Sequence, residues 1–244
     1  MNGSRDLPVP ARALAVAAHP DDAEFGCAGT LAKWAAAGGT VDLLVCTDGS
    51  KGTWEPSEDL EELVARREDE QRAAMRALGA GGDVAFLGRI DGELEAGRWE
   101  VSDVARHIRE CRPEVVLSHD PWKRHRLHPD HRAAGFIVCD AIVAARDPHF
   151  FPEHGLPPHR PSALLLFEAD EPDHVEDVTG FADAKVTALL EHRTQHRSTM
   201  GIEPGDAGDQ LEAFRGRILD ELAEVGADAG VAHAEAFKLV VDDL

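Results

Sequence analysis

The sequence predicts an α/β fold, a Rossmann-like three-layer arrangement with a mostly parallel sheet. Two observations carry this. Short apolar runs alternate with helix-like segments along most of the chain, which implies parallel strands covered on both faces. Polar clusters follow several of those runs, at the strand ends where ligands of such sheets bind.

The elements follow in order. Ala13–Ala18 is an apolar run stopped at His19-Pro20, where the proline prevents continuation. Ala28–Ala37 reads as a helix closed by Gly38-Gly39. Val41–Cys46 is a strand with Thr47-Asp48-Gly49 as its turn. A long helix starts at Ser57, with acids in its first turn, and ends at Gly79. Asp83–Leu87, Glu114–Ser118 and Ser162–Phe167 read as strands; Val101–Cys111, His131–Ala145, Ala182–Arg197 and Asp209–Val225 read as helices. The stretch Asp147–Pro161 reads as a long surface loop, a common form for a lid or substrate wall. With no internal repeat or linker, the expectation is a single domain over residues 1–244.

Bulk properties narrow the function. The formal net charge of −21 opposes binding to nucleic acid or an anionic membrane, both of which need a basic surface. The first ten residues are polar, unlike a secretory leader. Cys27, Cys46, Cys111 and Cys139 are widely spaced and form no CxxC pair, which points to a reducing, cytoplasmic location.

Two motifs carry chemistry. His19-Pro20-Asp21-Asp22 ends the first strand. Imidazole and carboxylate are zinc-binding groups, and adjacent acids cannot point the same way, so one can bind metal while the other faces substrate. His128-Pro129-Asp130-His131 follows the fourth strand and sets two histidines at the mouth of a helix. Either motif alone reads equally well as a capped turn. Together they bring His, Asp and His to one sheet edge.

The segment His19–Ala32 (HPDDAEFGCAGTLA) resembles the first signature of the PIG-L/LmbE-like family of zinc-dependent N-acetylglucosaminyl deacetylases, and His128–His131 (HPDH) resembles its second. Thr47-Asp48-Gly49, Arg67–Glu70, Leu78-Gly79, Phe86–Gly88, Pro113–Leu117, Lys185–His192 and Gln195 extend the likeness along most of the chain. The resemblance implies a Zn2+ cofactor held by His19, Asp22 and His131, with Asp21 as general base. It implies that His128 stabilises the oxyanion or protonates the leaving amine; a neighbouring carboxylate would favour its charged form. Arg67 falls where the family holds substrate hydroxyls, and Asp91 is a second candidate for that task. The implied partner is a small-molecule N-acylated sugar or glycoconjugate, with assembly into a homo-oligomer left open.

There are departures. Ala23 stands where the family commonly has glutamate, with Glu24 next, and Arg126-Leu127 occupies the neighbourhood of a tyrosine that assists the oxyanion in some members. His119 and His125 read as rival ligands or supporting groups; His107 and His192 as surface or packing residues, with His192 also a candidate to line the pocket; His149, His154 and His159 as solvated loop residues. Two further readings stand beside the deacetylase: a non-catalytic sugar- or metal-binding protein on the same fold, and a thiol-conjugate amidase of the same family.

Overall fold

The first apolar run shows how this sequence builds its layers. Ala13, Ala15 and Ala17 belong to one core cluster, while Leu14, Val16 and Ala18 belong to another. Such alternation is what a strand buried on both faces requires. The computed structural model describes residues 4–242 and 244. Its strands are β1 (Ser4–Arg5), β2 (Arg12–Ala17), β3 (Thr40–Thr47), β4 (Val84–Arg89), β5 (Val115–His119), β6 (Ala163–Phe167), β7 (His174–Asp177) and β8 (Ala234–Val240). Its α-helices are α1 (Asp22–Ala36), α2 (Leu60–Ala77), α3 (Arg98–Cys111), α4 (Pro129–Arg146), α5 (Ala182–Leu190) and α6 (Asp209–Ala229).

One eight-stranded sheet has the order β1-β7-β8-β6-β5-β2-β3-β4. Its strands pair in parallel except β8, which is antiparallel to β6 and β7. On one face α1 and α2 contribute Cys27, Leu31, Trp34 and Met75 to the core, joined by Ala188 of α5. On the other, α3 and α4 contribute Val104, Ile108, Ile137 and Ile142. The three-layer expectation holds. From β2 the chain steps outward to β3 and β4; from β5 it steps the other way to β6. The crevice between the carboxyl ends of β2 and β5 is therefore the topological switch point, where such sheets bind ligands.

Several boundaries differ from the sequence reading. α1 begins at Asp22, six residues before the expected Ala28. The glycines that obscure its start are there for close packing: a Cβ on Gly26 would lie 2.6 Å from the Phe167 ring. The helix expected over 182–197 stops at Leu190 and continues as a 3-10 turn and a π turn. β1, β7 and β8 lack long apolar runs. In β7, His174 and Glu176 are buried because they bond each other (Nε2 to Oε1, 2.8 Å), with the Ser4 hydroxyl on His174 Nδ1 at 2.7 Å.

The segment after α4 is not a lid. Helix α4 runs back toward the sheet edge opposite the switch point, and His159 and Ser162 bond the backbone of Pro113 and Glu114, just before β5. Buried Arg109 on α3 donates to the carbonyls of Ala144, Ala145, Asp147, Phe150 and Phe151, and so pins this segment down. His154, expected in solvent, is buried with Nε2 2.9 Å from the Ser102 hydroxyl.

Candidate active site at the switch point

Because β2 and β5 pair in register, with Val16 opposite Ser118, His19 and His119 leave the sheet side by side. The next turn is strained. Asp21 adopts φ 96°, ψ −24°, a left-handed conformation that costs a non-glycine residue on the order of 1–3 kcal/mol and is found mainly at functional sites. As N-cap of α1, Asp21 makes no side-chain capping bond, so its carboxylate is free for other work.

Three ligand-type residues meet here. His19 Nδ1 lies 3.1 Å from Asp22 Oδ2, His131 Nε2 lies 3.2 Å from Asp22 Oδ1, and the two ring nitrogens are 3.2 Å apart. Tetrahedral zinc with bonds of about 2.0–2.1 Å sets its ligand atoms about 3.3 Å apart, so the donor set fits such an ion. Among the described residues, three overlapping triads could hold a metal: His19-His128-His131, Asp22-His119-His131 and His19-Asp91-Asp130. His19 and His131 each belong to two of them.

The surrounding groups orient these side chains. His19 Nε2 faces Asp130 Oδ2 at 3.0 Å and Asp91 Oδ1 at 3.3 Å, which keeps the proton on Nε2 and turns the Nδ1 lone pair inward. Asp130 is itself fixed by the backbone N–H groups of Gly92 and Leu94. Burial opposes a charge on His19, yet Asp22, Asp130 and Asp91 override it and push its pKa up to about 12. This surplus of carboxylates equally favours a cation. His119 stacks on His131 at 4.4 Å and sets its Nε2 3.3 Å from Asp22 Oδ2. Behind both rings, Arg126 Nη1 lies 3.1 Å from His131 Nδ1 and pairs with Glu168 at 2.8 Å. Burial raises the Glu168 pKa, but the His119 hydrogen bond and Arg126 bring it to about 2.

Asp21 stands beside the donor set. Burial raises its pKa, Arg67 opposes this and Asp22 adds to it, for a value of about 6. Its backbone N–H donates to Gln71 Oε1 (2.9 Å), and Gln71 Nε2 donates to buried Glu24 (2.7 Å). Fully buried His192 sets Nε2 3.3 Å from the other Glu24 oxygen, so it packs beneath the Asp21 turn and not at the surface.

Arg67 is 3% exposed. Its guanidinium donates to the carbonyls of Gly49 and Pro20 and lies 3.5 Å from Asp21 Oδ2, a brace for Asp21 in this geometry. Asp91 likewise stands against His19 and the Lys51 N–H.

His128 caps α4: its Nδ1 accepts the Asp130 N–H at 3.3 Å. Its ring lies edge-on to His19 at 4.6 Å and stacked on His131 at 4.7 Å. Partial burial, then the charges of His19 and His131, outweigh the carboxylates and lower its pKa. The expectation of a charged His128 is corrected: with Nδ1 engaged as an acceptor, the neutral ring offers Nε2–H as a donor.

Sequence reasoning passed over Gln71 and Glu168, and it gave Asp130 and Glu24 no contact with the site although both lie within the two motifs. Glu168 also had a usable signal, since it follows the carboxyl end of β6 and obeys the same topological rule as the motifs.

Fold and site together define an α/β protein with a candidate metal site at the switch point of its sheet. The model for the PIG-L family, GlcNAc-PI de-N-acetylase, matches residues 14–142, and the chain belongs to that family. It is 33% identical over 187 residues to diacetylchitobiose deacetylase of Thermococcus kodakarensis, covering 75% of this chain and 70% of the relative. It is 38% identical over 270 residues to 1D-myo-inositol 2-acetamido-2-deoxy-alpha-D-glucopyranoside deacetylase of Streptomyces griseus subsp. griseus, covering 98% and 78%. The structure of N,N'-diacetylchitobiose deacetylase from Pyrococcus horikoshii superposes with a TM-score of 0.84 at 29% identity, covering 95% of this chain and 84% of that one. Across its curated deacetylase relatives the chain spans between 46% and 78% of the relative's own length.

Proposed function

We propose that this protein is a zinc-dependent hydrolase that removes an N-acetyl group from a small amino sugar or glycoconjugate and acts in the cytoplasm, the last supported by four unpaired cysteines. His19, Asp22 and His131 are the ligands in this reading. A dication held there would supply a Lewis acid and an acidified water. Asp21 takes the proton of the attacking water. His128 Nε2–H donates to the oxyanion that forms at the amide carbon. Asp21 then returns its proton to the departing amine, leaving acetate and a free amino group.

The observation that carries this reading is Asp21: a buried carboxylate in a strained turn, beside the donor set and with a pKa of about 6. A general base works best with a pKa near the working pH. A non-catalytic metal or sugar binder has no use for such a group. The test is metal analysis combined with amine release from a panel of N-acetylated sugars and thiol conjugates; one bound dication with no amine released from any of them would overturn it.

Two expectations follow. Activity rises with pH as Asp21 loses its proton. A bound dication beside Asp21 favours the carboxylate, so the acid limb of kcat/KM lies at about 6 or lower. Apparent values belong to Asp21 and Asp22 jointly. An acid limb well above 6 in the loaded enzyme would rule out Asp21 as the base. Arg67→Ala removes the cation that lowers the Asp21 pKa and the brace of its turn. It is expected to lower kcat more than it raises KM and to move the acid limb upward. A rise in KM alone, with the limb unmoved, would instead assign Arg67 to gripping substrate hydroxyls.

A further inference from the structure

Beneath the Asp21 turn lie three polar side chains that take no part in the chemical step. Glu24 of α1, Gln71 of α2 and His192, two residues past the end of α5, are each fully buried. Burying an unpaired carboxylate, amide or imidazole is costly, and here each faces the next. His192 Nε2 lies 3.3 Å from Glu24 Oε2. Gln71 Nε2 donates to Glu24 Oε1 at 2.7 Å, and Gln71 Oε1 accepts the Asp21 N–H at 2.9 Å. The series has a direction. An amide whose nitrogen is committed to a carboxylate has only its oxygen left to offer Asp21.

The Pro20 carbonyl and the Asp21 N–H belong to one peptide group, and α2 grips both ends of it. Arg67 Nη2 donates to the carbonyl at 2.6 Å. Gln71, four residues on and so on the same face of α2, accepts the N–H. The left-handed backbone at Asp21, φ 96°, is strained and persists only where the surroundings over-determine it. Rotating this peptide group would set its carbonyl against Gln71 Oε1 and its N–H against the Arg67 guanidinium. Gln71 could meet the turned carbonyl by flipping its own amide, but its oxygen would then face the Glu24 carboxylate. Glu24 closes that escape, and His192 stands against the far oxygen of Glu24.

Resting on the assignment of Asp21 as general base, we propose that Gln71, Glu24 and His192 are positioning residues for it. Gln71 and Arg67 clamp the Pro20–Asp21 peptide from its two ends, and the Glu24–His192 pair fixes which way the Gln71 amide points. The clamp aims the Asp21 carboxylate at the attacking water. A displacement of about 1 Å costs up to on the order of 10²-fold in rate, while contacts to the rest of the substrate are untouched.

The test uses Gln71→Met, Gln71→Glu and the double variant Glu24→Gln/Gln71→Glu. Gln71→Met removes the acceptor at similar size, and Gln71→Glu sets two carboxylates against each other. The double variant reverses the pair: the amide at position 24 donates, and the carboxylate at position 71 accepts both it and the Asp21 N–H. Each single variant is expected to lower kcat about 10–100-fold, with KM and zinc content close to wild type, and the double variant to recover most of that loss. Hydrogen exchange of the Asp21 amide, followed by NMR in the metal-free protein, reads the clamp without activity. Exchange is expected to be about tenfold faster in Gln71→Met than in wild type and slow again in the double variant. A wild-type kcat in either single variant, a rise in KM without loss of kcat, or a double variant no better than Gln71→Glu overturns the clamp. If Gln71→Met fails to fold, Gln71→Glu against the double variant still decides. A wild type that releases no amine overturns the assigned reaction instead. The exchange comparison then still decides the clamp, and equal rates in wild type and Gln71→Met overturn it.

Discussion

Asp21→Asn is expected to lower kcat by on the order of 10²–10⁴-fold, with KM and metal content close to wild type. Asparagine is the right replacement. Residue 21 sits at φ 96°, and asparagine tolerates the left-handed region better than alanine does. The backbone N–H keeps its bond to Gln71, and Arg67 keeps the carbonyls of Gly49 and Pro20. What is removed is the carboxylate itself, both as proton carrier and as the charge that faces Arg67. Stability gives an independent check. Burial raises the Asp21 pKa from 3.8 to about 6. The stabilising proton is thus bound below pH 3.8 and lost as pH rises through 6, and near pH 7.5 the buried charge works against the fold. The asparagine variant should therefore melt no lower than wild type at pH 7.5. Loss of the metal together with activity would place Asp21 in the ligand set and overturn its role as base.

The parallel core of the fold was legible because its strands are buried on both faces, so β2, β3, β5 and β6 appear as mostly apolar runs, β3 interrupted only by Asp42. The remaining strands were hidden by side chains whose polarity is satisfied only through contacts distant in sequence. Glu235 in β8 looks unsuited to a buried strand until its carboxylate is seen to accept the N–H groups of Gly29 and Thr30 and to pair with Lys185. No local pattern encodes that. The loop 147–161 was misread for a related reason: its anchor, Arg109, lies on α3 and meets it only after folding.

The site was legible where motif and topology coincide, at the ends of β2 and β5. Charge state was not. A nearby carboxylate suggested a protonated His128, but sequence alone does not reveal that His19 and His131 flank the same ring or that its Nδ1 caps α4. For Arg67 the sequence pointed to substrate hydroxyls and could not show that its guanidinium also bonds the Gly49 and Pro20 carbonyls and lies 3.5 Å from Asp21.

Asp22→Ala is expected to abolish metal binding and with it all measurable activity. Its two oxygens contact His19 Nδ1, His131 Nε2 and His119 Nε2 at 3.1, 3.2 and 3.3 Å, and those histidine charges hold its pKa well below the usual carboxylate range against the effect of burial. Removing it leaves the histidines without the carboxylate between them, while Asp91 and Asp130 remain behind His19. His19→Ala and His131→Ala should lose the metal in the same way. His119→Gln is different. In the proposed ligand set His119 orients Asp22 and stacks on His131 without binding the ion, so the expected loss is only about 10–100-fold in metal affinity. Excess zinc should restore activity to that variant but not to the other three. Ligand-linked stabilisation supplies a second readout: zinc should raise the melting temperature of wild type and of His119→Gln, and leave Asp22→Ala unmoved. If His119→Gln lost the metal outright while His131→Ala kept it, His119 would be the third ligand and His131 the group that supports it.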